Sequence, residues 1–133
     1  SNLAVPGVGA AHGGTRAPIL SVLSDPGKAT AVTRVLDTSN PDPTSRRQRE
    51  LMREVKLAPA DLCPWNAYPW PHDKEVDGDL TPELVARGAP VLVELIGMMT
   101  GLRVLLLQGE QARWAWAMAE GSCPGSRIRL LSW

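Results

Sequence analysis

The sequence predicts an α/β fold: a three-layer α/β/α sandwich around a central four-stranded parallel sheet. Three observations predict it. Short apolar runs alternate with longer helical segments, the order that parallel strands with right-handed crossover helices produce. One run, "LRVLLLQG" from Leu102 to Gly109, is almost continuously apolar, as in a strand covered on both faces. Turn-forming residues stand where two of the other runs stop, in "SDPG" and in "NAYPW".

Each element has its own warrant. Residues 1–17 are rich in Gly, Ala and Pro and read as a flexible N-terminal arm, leaving 18–133 as one domain. Ile19 to Leu23 is a short apolar strand that "SDPG" breaks. After a stretch of weak periodicity and turn chemistry, Pro43 and Thr44 open a polar helix whose inner side is Leu51, Met52 and Val55; it stops near "APAD". "DLCPWN" reads as a second strand, although Pro64 cannot donate to a ladder. "AYPWPHDKEVDGD" reads as loop. Thr81 is placed to cap a helix with Pro82 at its first position and Glu83 in its first turn. That helix reaches about Met99, with a kink or restart expected at Gly88-Ala89-Pro90. Then follow the strand Leu102 to Gly109, the helix "EQARWAWAMAE", the turn "GSCPGS" and a last strand from Arg127 to Trp133.

Bulk numbers narrow the classes. The chain has 133 residues and 44% hydrophobic content, enough for one domain with a real core. Fourteen basic residues balance fourteen acidic ones, which argues against a strongly basic, non-specific nucleic-acid binder. Two cysteines, Cys63 and Cys123, are too few for a disulfide framework or an iron–sulfur cluster and read as reduced thiols in a cytoplasmic protein. No apolar run approaches the roughly 20 residues of a membrane span. "SDPG" lacks the Gly-x-Gly pattern of a nucleotide-binding turn.

In open parallel sheets, ligands bind beyond the carboxyl ends of the strands. "SDPG" and "NAYPW" stand at two such ends, so they are expected to face one crevice. Asp25 would bring a carboxylate on a sharp turn fixed by Pro26 and Gly27. Asn66 would bring an amide donor and acceptor side by side, able to read a carbonyl beside an N–H as on the edge of uracil. Taken singly, Asp25 reads as a turn residue and Asn66 as a strand-end turn former; only the pair points to chemistry. Trp65 and Trp70 read as packing residues, Trp114 and Trp116 as helix residues of which one belongs to the core, and "RRQRELMR" as a solvated helix face.

The order of these segments resembles the uracil-DNA glycosylase superfamily, in particular its compact actinobacterial-type members. "LSVLSDPG" resembles the first motif, "SNPDPTSRR" the segment before the first main helix, "LCPWNAYPW" the second strand with its terminal Asn, and "LRVLLLQGEQARWAW" the third strand and its helix, with Gln108 where many members have Leu. The resemblance runs from about Ala17 to Trp133. It implies hydrolysis of the N-glycosidic bond of deoxyuridine in DNA, on a base flipped into a pocket. Asp25 would orient the attacking water, and Ser24, Pro26 and Gly27 would frame the base through their backbone. Asn66 would pair with the pyrimidine, Tyr68 and Trp70 would line the substrate site, and Thr44 and Ser45 would meet DNA phosphates. No metal or other cofactor is implied, and the partner is uracil-containing DNA.

The chain departs from that pattern. Leu23 precedes Ser24 where the family has Gly. No aromatic lies between Arg34 and Ser39, where the family stacks the flipped base. The His-containing motif that follows the fourth strand has no counterpart up to Trp133. These departures imply a domain that is C-terminally incomplete and whose crevice is open on that side, with self-association there. They also support a rival reading, a non-catalytic glycosylase-like module that binds DNA or a protein. Selectivity for uracil over cytosine further requires a neighbouring group that locks the Asn66 amide in one orientation.

Overall fold

The computed structural model describes residues 7–8, 13–24, 35–36, 43–123 and 128–132. Six strands and four α-helices lie within them. The strands are β1 (Gly7–Val8), β2 (Ile19–Leu23), β3 (Val35–Leu36), β4 (Leu62–Asn66), β5 (Val104–Leu107) and β6 (Arg129–Ser132). The helices are α1 (Pro43–Glu54), α2 (Lys74–Asp77), α3 (Pro82–Met98) and α4 (Glu110–Ala119). The fold is α/β. Four strands form an all-parallel sheet in the order β4-β2-β5-β6, and β1 pairs in parallel with β3 in a second, two-stranded sheet.

Strand alternation decides where the core sits. Leu20 and Val22 of β2, Cys63 and Trp65 of β4, and Leu105 and Leu107 of β5 point to one side. There they join Val85, Leu92, Leu95 and Ile96 of α3 and Ala112, Ala115 and Trp116 of α4 in one buried cluster. The intervening residues point the other way. From that other side Gln48 of α1 accepts a hydrogen bond from Ser21 Oγ at 3.3 Å. Only a short connection through the 3-10 turn Pro59–Asp61 separates the end of α1 from the start of β4, so α1 runs antiparallel to the strands. Its first turn, which holds Thr44 and Ser45, therefore lies toward the carboxyl end of the sheet.

Local chemistry sets most boundaries. Thr81 Oγ1 accepts from Leu84 N–H at 3.3 Å and Pro82 occupies the first turn, as expected for α3. α1 ends where Lys56 takes φ 60°, and Leu57 N–H donates back to Met52 C=O at 2.9 Å. That is a helix stop that glycine usually fills. Gly109 at φ 96° turns β5 directly into α4.

Within the N-terminal segment, residues 7–8 form β1, Gly14–Arg16 form a 3-10 turn, and Ala17 is buried. The structure departs from expectation in three places. The segment after Trp70 is not all loop: Asp73 caps the single turn of α2 by accepting from Glu75 N–H at 2.9 Å. α3 neither breaks nor restarts at Pro90. Pro90 and Ala86 are both exposed, so water can solvate the Ala86 carbonyl that the proline leaves unpaired. The last strand is shorter than Arg127 to Trp133, and Arg127 and Trp133 lie outside the described residues. Cys63 and Cys123 are both free thiols. Among the described residues no helix is long and apolar enough to cross a membrane.

Candidate functional site

The carboxyl ends of β2, β4 and β5 stand side by side. Leu23 is the register partner of Asn66. The pairing continues past the strand ends: Ala67 N–H donates to Leu23 C=O at 2.7 Å, and Tyr68 N–H to Ser24 C=O at 2.9 Å. On the other side Gln108 N–H donates to Val22 C=O at 2.9 Å. Ser24 and Asn66 are thus fixed at adjacent strand tips, as the order of the two motifs predicts. Asp25, Pro26 and Gly27 follow directly in sequence, and they and the pocket expected to join Asp25 to Asn66 lie outside the described residues.

Two environments meet at this edge. On the face of α3 and α4 there is a polar crevice of about 440 Å³, bordered by Ser24, His72, Lys74, Asp79, Glu110 and Trp114. Lys74 pairs with Asp79 at 3.2 Å, and His72 Nε2 lies 2.8 Å from Gly78 C=O. A carbonyl only accepts, so Nε2 is the donor in that contact. Asn66 is not among the residues bordering this crevice. By alternation along β4 its side chain points to the α1 face, together with Gln108 of the β5 end. Leu23 lies between these two amides in the sheet.

Asn66 is only 3% exposed, and its Nδ2 has no hydrogen-bond partner among the described residues. A sealed, unpaired amide donor is uncommon because desolvating it without a partner costs about 1–3 kcal/mol. The locking group expected for this side chain is absent among the described residues. The strand end therefore holds a sealed donor with no acceptor among the described residues.

Tyr68 and Trp70 do not stand open as ring surfaces. Both are buried with Leu80, and their rings meet edge to face at 5.2 Å. Tyr68 also meets the His72 ring edge to face at 5.7 Å. Their work is to shape the segment after Asn66. Gly88 of α3 completes that shaping: a Cβ there would lie 2.2 Å from Ala67 C=O. Of Thr44 and Ser45 only the position is described, in the first turn of α1.

Glu110 and Gln111 were not singled out in the sequence, and Trp114 was weighed there only as a helix residue that packs. The signal was present, since "LLLQGEQARW" is a strand-to-helix junction of the type that borders a crevice. Half-buried Trp114 is the aromatic residue that the crevice presents. Cys63 is no nucleophile at neutral pH, because burial pushes its thiol up to about 11. Among the described residues no three His, Cys, Asp or Glu side chains gather as metal ligands. No protein-family model and no curated protein matches the chain.

Proposed function

We propose that this chain is a uracil-DNA glycosylase-like domain that reads a flipped uracil through Asn66 and hydrolyses its N-glycosidic bond. The observation that carries the reading is the Asn66 amide: at a strand tip, buried, and with its donor unmatched. Uracil O4 accepts where Asn66 Nδ2 donates, and the Asn66 oxygen accepts from N3–H. Backbone at Ser24, in the neighbouring tip, would frame the same base. Asp25, the next residue, would hold water against the sugar and offset the charge that develops there. The first turn of α1, with Thr44 and Ser45, would offer backbone N–H groups to a phosphate at the same end of the sheet.

The rival is a non-catalytic module that binds DNA or a protein. One observation favours it: the crevice beside Ser24 carries Asp79 and Glu110, with Lys74 already engaged by Asp79, which is poor electrostatics for a polyanion. The test is excision of uracil from a labelled single-stranded oligonucleotide. The chain should release uracil, and Asn66→Ala should slow release by at least about tenfold, the worth of one or two hydrogen bonds to a buried amide. Equal rates would remove Asn66 from the mechanism. Tight DNA binding without release of any base would establish the rival.

A further inference from the structure

A second cavity lies on the α1 face and shares no described lining residue with the polar crevice. Its volume is about 520 Å³, within the range of small-molecule sites. Ile19, Leu51, Met52, Val104, Leu106 and Leu131 wall it. Arg47, without an acidic partner among the described residues, is the one charged side chain among the cavity's described lining residues. At one end stand Ser21, Gln48 and Gln108. Gln108 Nε2 donates to Ser21 Oγ at 2.5 Å and to Gln48 Oε1 at 3.2 Å, and Ser21 Oγ donates to the same Gln48 oxygen.

This trio leaves a definite remainder. Gln48 meets Gln108 oxygen to nitrogen, so one carboxamide keeps a free N–H group and the other a free oxygen. Exchanging N and O in both side chains changes nothing in that count. Neither remaining atom is among the sealed, unpaired polar atoms, which among the described residues are Trp65 Nε1, Asn66 Nδ2 and Trp116 Nε1. Both glutamines border the cavity. Its polar end therefore offers one donor and one acceptor, and its walls offer hydrocarbon.

We propose that this cavity is a binding pocket for a small apolar molecule that carries one primary amide. The amide oxygen meets the free glutamine N–H, the amide N–H meets the free glutamine oxygen, and the hydrocarbon body lies between α1 and the sheet toward Leu131. A carboxylate matches only half of that end, because it accepts and cannot donate. An alcohol has one group for two positions.

The probe is octanamide, with octanoate, octan-1-ol and uracil as comparisons. The readout is the ¹³C-methyl spectrum of the four methionines. Met52 alone among them borders the cavity, and Met52→Leu assigns its signal. Octanamide should shift Met52 saturably and leave Met98, Met99 and Met118 in place, binding at least about tenfold more tightly than octan-1-ol, as one extra buried hydrogen bond requires. Gln108→Leu should remove that preference, and Leu106→Trp, which fills the cavity, should remove binding. A Met52 signal unmoved by octanamide overturns the proposal. So does an equal response to octan-1-ol, which would make the trio a packing feature, or tighter binding of octanoate, which would make Arg47 the recognition group. Uracil binding here as tightly as octanamide would overturn it too, by showing that the apolar walls contribute nothing.

Discussion

Asn66 carries an internal conflict that stability can expose. Its buried Nδ2 has no partner, so replacing the amide with an apolar group of similar size removes a desolvation cost. Asn66→Leu should raise the unfolding free energy by about 1 kcal/mol in urea while abolishing uracil release. A fall of that size instead would mean that the amide is satisfied and structural. Cys63 gives a second test at this scale. Burial raises its thiol from 9.0 to about 11 in the folded protein. The folded state keeps the proton that the unfolded state has already lost, so stability is full below about pH 9 and falls as pH rises through the folded value. The loss should approach about 3 kcal/mol by pH 11. Cys63→Val should flatten that decline in chemical denaturation measured from pH 8 to pH 11.

Among the elements, α3 packs against the segment that follows Asn66. Gly88 lets its backbone lie against Ala67 C=O and Pro69, the residues that follow Asn66. Gly88→Ala would gain helix propensity, yet its methyl would meet a backbone carbonyl that cannot rotate away. The expected net loss is about 2 kcal/mol in thermal or urea unfolding, with weaker uracil release from the displaced 66–68 segment. A stability gain would show that α3 shifts freely. The strands were readable where an apolar run met a turn former: Ile19–Leu23 and the end of β4 at Asn66 fall where the sequence places them. Capping made α3 readable in the same way, through Thr81 and Pro82. α2 was not, because one turn held by Asp73 has too few residues to show a period. The burial of Tyr68 and Trp70 was not legible for a related reason: burial of a loop aromatic depends on Leu80 and α3, which are remote from it in sequence. At the site, the position of Asn66 was legible but its unmatched donor was not, since that depends on what fails to surround it.

At the scale of the whole molecule, β6 is the outer strand of the four-stranded sheet, and its leucines are half exposed, Leu130 at 44% and Leu131 at 43%. An edge of this kind offers unpaired backbone to another chain. With zero net charge and a pI near 6.7, little repulsion opposes that encounter at neutral pH. Leu130→Lys should shift the sedimentation profile toward the monomer at high concentration, and an unchanged profile would clear this edge of any part in association. The strand order also has a consequence for synthesis on the ribosome. β2 is made early, yet both of its neighbours, β4 and β5, are made much later, and β5 is separated from β4 by the whole of α3. At ~5–20 residues per second, the first strand of the sheet waits for seconds before its second partner emerges. Throughout that interval Leu20 and Val22 have no finished core to enter, so the nascent chain, more than the native protein, is where this topology is vulnerable to misassembly.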